Sequence, residues 1–139
     1  MAKFKTKFDS LVQLKQLKID EIQNNLSKLN KALQEEENIL NILENEFSSL
    51  TLPKEGNFSL INQFKIIQQA KIREINQKKS QINFIKSQIE NTNNQLKEAN
   101  LEYEKMKYLQ SEEIKKYLKK IKENEAKNMD EIALMLFKG

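Results

Sequence analysis

The sequence has no cysteine, no histidine and no tryptophan, one proline and two glycines. Without cysteine no disulfide framework can form, and without cysteine or histidine there are no thiolate or imidazole ligands for a metal. The glycines are Gly56 and Gly139, and the proline is Pro53. A globular fold with many turns needs more turn-formers, whereas a few very long helices need almost none. Apolar residues are also scarce, at 38% against 32% charged, too few for a thick core. The longest apolar run, Ile132 to Phe137, falls far short of a membrane span. Met1-Ala2-Lys3-Phe4-Lys5 lacks the apolar stretch of a signal peptide. These features predict a soluble cytoplasmic protein with no direct membrane insertion, its 139 residues forming a single domain.

The net charge of +4 invites a nucleic-acid reading, but 24 basic residues stand among 20 acidic ones. The basic residues read as solvated helix faces. Arg73 is the sole arginine, and arginine is the favoured residue for base-edge and stacked contacts. No nucleic-acid partner is expected.

What the chain does have is a heptad repeat. One set of positions in the first half is Lys5, Val12, Ile19, Leu26, Leu33, Leu40 and Phe47. The other is Phe8, Lys15, Ile22, Leu29, Glu36, Leu43 and Leu50. The phase holds from Phe8 to Leu50, which implies left-handed supercoiling with a partner. The stretch from Ser48 to Asn57 contains Pro53 and Gly56. Helix one should therefore end near Leu50, Gly56 can take positive φ, and Asn57 or Ser59 should cap helix two. The second seam reads Ile61, Gln68, Ile75, Ile82, Ile89, Leu96 and Tyr103, alternating with Phe64, Lys71, Lys78, Ile85, Thr92, Ala99 and Met106.

The predicted fold is all-α, a long two-helix antiparallel coiled-coil hairpin with an overhanging C-terminal helix. Its parts are helix one at about 3–50, a loop at about 51–58, helix two at about 59–124 and a terminal helical segment at about 128–137. The last begins at Asn128-Met129-Asp130-Glu131, which has capping-box spacing. Folding at residues 55 and 56 pairs Phe47 with Phe64, Leu29 with Ile82, Ile22 with Ile89, Val12 with Ala99 and Phe8 with Tyr103. It also sets Glu35, Glu36, Glu37, Glu44 and Glu46 opposite Lys65, Lys71, Arg73, Lys78 and Lys79. Helix one then runs out opposite about Lys107. There the seam steps from Met106 through Gln110 to Ile114, Leu118 and Ile121, a four-residue stutter.

No catalytic constellation is present in the sequence: no Gly-rich phosphate loop, no nucleophile with a histidine base and no metal spacing. Successive helical residues point different ways, so Glu35-Glu36-Glu37 cannot converge on one cation and reads as a solvated face. The chain is expected not to be an enzyme and to need no cofactor. Tyr103 fits the seam, while Tyr108 and Tyr117 fall on the overhang. An overhang exposing Tyr108, Leu109, Ile114, Tyr117, Leu118, Ile121, Ile132 and Leu136 leaves apolar surface in water, which commonly marks an interaction site. The alternative is that these residues self-associate or fray.

Four loose motifs resemble one family. They are Phe4-x-x-x-Phe8-x-x-Leu11-x-x-Leu14, Asn45-Glu46-Phe47, Phe58-x-x-Ile61-x-x-Phe64 and Lys127-Asn128-Met129-Asp130-Glu131-Ile132-Ala133. In this order and length the chain resembles FliJ, the small cytoplasmic protein of flagellar type III export. The resemblance implies a coiled coil similar to the stalk of rotary ATPases. Its termini would approach the hexameric export ATPase and promote ring assembly and activity. Its loop end would contact the membrane export-gate protein, and members also handle export chaperones. The protein would then sit at the periphery of the membrane-embedded export apparatus. Positions matching the gate contact are Leu40, Leu43, Phe47 and Phe64, with Glu36, Gln68, Lys71 and Ile75 beside them. All lie on the seam, where burial is the rule, so this end either splays, is shallow, or is ordinary core. For the ATPase ring the contact is expected on the terminal stretches, at Phe4, Phe8, Tyr108, Ile114, Tyr117, Leu118 and Ile121. The rival readings are a helical-hairpin chaperone that holds clients without acting on an ATPase, and a structural coiled-coil spacer.

Overall fold

The computed structural model describes residues 4–54 and 56–138. Two helices, α1 (Asp9–Ser48) and α2 (Phe58–Lys138), make an all-α hairpin, and there are no strands among the described residues. The heptad positions form the contact. All fourteen seam positions of α2 are buried or half-buried, and on the first half only Lys5 is exposed. The most buried apolar residues, Val12, Ile19, Ile22, Ile75, Ile82 and Ala99, all belong to the two seams. Among the described residues no side chain is deeply enclosed, because a two-stranded seam has water on both flanks.

Helix α1 starts at Asp9 rather than near residue 3, and Lys3 lies outside the described residues. The cause is a capping box built by Thr6 and Asp9. The Phe8 amide donates to Thr6 Oγ1 at 3.1 Å, the Thr6 amide to Asp9 Oδ2 at 3.2 Å, and Thr6 Oγ1 to Asp9 Oδ1 at 2.7 Å. At the other end, Ser48 Oγ and Ser49 Oγ donate to the carbonyls of Glu44 and Glu46, closing the last turn. Asn57 is the cap of α2, since its Oδ1 accepts from the Leu60 amide at 3.2 Å. Gly56 does not take positive φ. Its use is close approach, as a Cβ there would come within 2.7 Å of Leu60 Cδ1. Helix α2 then runs unbroken through Asn128, with no separate terminal segment. It contains no proline or glycine, and an Asn inside a helix costs only a few tenths of a kcal/mol, roughly up to 0.7, against Ala.

The chain divides into two compact units, Met1–Asp20 with Lys97–Gly139, and Glu21–Leu96. In the first, Gln110 Nε2 donates to Asp9 Oδ1 at 2.8 Å and Lys15 pairs with Glu102 at 3.8 Å. In the second, Lys78 Nζ donates to Glu36 Oε2 at 2.6 Å, and Lys71 pairs with Glu46. The numbers of these partners add to between 114 and 119, not 111. The pairing of Phe47 with Phe64, Leu29 with Ile82, Ile22 with Ile89, Val12 with Ala99 and Phe8 with Tyr103 is therefore corrected by one heptad. Ile19 is level with Ala99, Val12 with Met106, Ile22 with Leu96 and Leu43 with Ile75. A slip of seven returns apolar positions to apolar positions, so the pattern alone could not choose. The assumed tight turn at residues 55 and 56 chose wrongly, and Glu55 lies outside the described residues. The expected charge match survives in Glu36 with Lys78 and Glu46 with Lys71.

The capping network is testable. Replacing Thr6 by alanine is expected to lower stability by about 1 kcal/mol, seen as a lower urea midpoint. Gln110 and Thr6 both donate to the Asp9 carboxylate and hold its pKa below the ordinary value. A depressed carboxylate contributes stability that is fully present above its unfolded pKa and lost as pH falls through its folded pKa. Acid denaturation should therefore lose part of its dependence below the ordinary carboxylate range in Asp9→Asn, read from unfolding curves at several pH values.

Candidate partner-binding surfaces

Two apolar surfaces remain uncovered, one in each unit. Near the loop, the contact of Glu46 with Lys71 sets Ser48 level with about residue 69. Helix α2 begins at Phe58, about eleven residues or 16 Å earlier at helical rise. Its first three turns therefore have no helix opposite them, only the connection, of which Leu50 and Pro53 are half-buried. Phe58 is 84% exposed, and Leu52, Leu60, Ile66 and Ile67 are exposed with it. Further from the loop, Ile39 and Ile42 of α1 are exposed as well, Ile39 lining a groove with Glu74, Gln77, Lys78 and Gln81.

The expected gate positions Leu40, Leu43, Phe47 and Phe64 are all half-buried, as are Glu36, Gln68 and Lys71, while Ile75 is buried. This end is shallow: the Lys71–Glu46 and Lys78–Glu36 bonds bridge the helices across it. The Glu46 carboxylate holds the Lys71 ammonium above its ordinary pKa. Sequence reasoning missed the exposed neighbours Ile39, Ile42, Ile66, Ile67 and Phe58. Their signal was legible, because an apolar residue off the seam of a two-stranded hairpin has nowhere to be buried.

In the other unit, Phe4 precedes α1 and stacks flat on Tyr117, with ring centroids 3.9 Å apart and planes 3° apart. Phe4 thus reaches α2 at Tyr117, not at Lys107, and the overhang begins ten residues later than expected. Phe8 is half-buried, Tyr108 is 63% exposed, Ile114, Tyr117 and Leu118 are exposed, and Ile121 is half-buried. Phe4, Tyr117, Glu113, Glu123 and the lysines 116, 119 and 120 line an open groove of about 500 Å³. From Lys122 to Phe137 every residue is exposed, with Phe137 at 92%.

Neither surface presents a reacting constellation. Among the described residues no group of carboxylates is placed to hold a metal, and no helix is long and apolar enough to cross a membrane. The family model described as flagellar FliJ protein matches residues 4–139. No curated protein and no solved structure matches the chain.

Proposed function

The chain belongs to the flagellar FliJ family and so is a component of flagellar export, and from that premise we propose that it is the non-enzymatic stalk linking the export ATPase to the export gate. In this reading the exposed end of α2, with Phe4, Phe8, Tyr108, Ile114, Tyr117, Leu118 and Ile121 near it, enters the hexameric ATPase ring and promotes its assembly and activity. The loop end contacts the membrane export-gate protein through Leu40, Leu43, Phe47 and Phe64 and their exposed neighbours Ile39, Ile42, Ile66 and Ile67. The protein would act in the cytoplasm at the periphery of the membrane-embedded apparatus, and would hand over export chaperones there.

The observation that carries this reading is the uncovered stretch of α2 from Lys122 to Phe137. A helix that outruns its partner and leaves apolar residues in water needs something to surround it, and a ring does so from all sides. The test is ATP hydrolysis by the cognate export ATPase with and without this protein, alongside ring counts by electron microscopy. Faster hydrolysis with more hexamers is expected. Unchanged hydrolysis, with stoichiometric binding of export clients instead, would sink the stalk reading in favour of a hairpin chaperone.

A further inference from the structure

We propose that the exposed end of α2 pairs antiparallel with the same segment of a second copy of this chain. At about 100° per residue, the apolar residues Leu118, Ile121, Met129, Ile132, Met135 and Leu136 fall within about 120° of arc, on one face of the helix. Glu125 and Asn128 interrupt that stripe. The charges around it are divided along its length. Lys115 to Lys122 holds five lysines and no acidic residue, a local concentration that the chain-wide balance hides. The next stretch carries Glu123, Glu125, Asp130 and Glu131 against the single lysine Lys127.

This division selects the occupant. A parallel partner would set lysines on lysines. An anionic lipid surface would attract the first half but repel the acidic residues that flank Met129 and Ile132. An antiparallel copy satisfies both halves at once, and twofold symmetry doubles each favourable contact. Centred on Glu125, the pairing sets Leu118 level with Ile132 of the second copy and Ile121 level with Met129. Lys119 and Lys120 then lie beside Glu131 and Asp130. The two Glu125 side chains meet at the axis, which keeps the dimer weak and reversible. The pair buries the same face that the stalk reading gives to the ring, so a dimer is a form withheld from the ring. The inference does not depend on that reading.

Sedimentation of the full chain over a dilution series tests it without any ATPase. A reversible monomer–dimer equilibrium is expected. Ile132→Asp should abolish it, and Glu125→Leu should tighten it about tenfold. Both positions are exposed, so neither change should unfold the hairpin. The chain has no native cysteine, so single cysteines report orientation. Oxidised Glu125→Cys should give a disulfide dimer. Met135→Cys should not, because its two copies would lie about 30 Å apart at helical rise. A concentration-independent monomer overturns the proposal. So does a Met135→Cys dimer forming as readily as the Glu125→Cys one, or flotation of the monomer with phosphatidylserine vesicles in place of any dimer.

Discussion

Replacing Ile82 by alanine should lower the stability of the hairpin by about 2–3 kcal/mol. Ile82 is 5% exposed, among the most buried residues of the chain. The loss should sit at the low end of the usual range for an isoleucine truncated to alanine. A cavity in a two-stranded seam opens at once to water and need not remain empty. Even so, the change is large against the roughly 5–15 kcal/mol by which natural domains are stable. Ile66 on the same helix is the control. It is 60% exposed, and alanine there should shift stability by no more than about 0.5 kcal/mol. Urea unfolding followed by helical circular dichroism measures both. Equal effects at the two sites would mean that the seam drawn through Ile75, Ile82 and Ile89 is not what holds the helices together.

The largest functional effect should come from ending the chain after Lys122. Residues 123–137 are exposed throughout, so their removal should leave the hairpin's unfolding midpoint unchanged. Stimulation of the export ATPase should nevertheless fall to the basal rate. A cut after residue 107 would be a poorer experiment. It removes Gln110 and Tyr117, the partners of Asp9 and Phe4, and so mixes lost structure with lost binding. Full stimulation by the chain ending at Lys122 would remove the ring contact from this segment. Ending the chain at Lys122 also removes the segment proposed to self-pair, so Asp130→Lys with Glu131→Lys separates the two roles. That double change reverses the charges needed for the antiparallel pair and leaves the apolar stripe in place.

The seams were legible to the residue. Isoleucine, leucine and valine at three- and four-residue steps have one face to hide and one place to hide it, so periodicity alone found Val12, Ile19, Ile22, Ile75 and Ile82. The cap of α2 was legible only as a choice between Asn57 and Ser59, and the hydrogen bond from the Leu60 amide decides for Asn57. Thr6 was not read as one, because Phe4 and Phe8 drew the helix back through it, and the spacing of Thr6 to Asp9 went unused. Register was illegible in principle. Both candidate alignments bury apolar layers, and only long-range contacts such as Asp9 with Gln110 separate them. The same slip misplaced the start of the overhang by seven residues, and the stretch from Phe4 that precedes α1 carries it three further, to Tyr117. The binding surfaces were half-read: the family's positions Leu40, Leu43, Phe47 and Phe64 sit in the seam, while the exposed residues beside them lie off the repeat and were passed over.

A repeating seam carries no mark for its own zero. Moving α1 by seven residues along α2 is a step of about 10 Å, after which knobs of the same kind meet holes of the same kind. What tells the two settings apart is a few catches: the Phe4 ring on Tyr117, Asp9 under Gln110, Glu36 against Lys78 and Glu46 against Lys71. Exposed ion pairs of this kind contribute only about 0–1 kcal/mol each. The seam therefore supplies adhesion without position, and the position of one helix along the other is carried by these few contacts at its flanks.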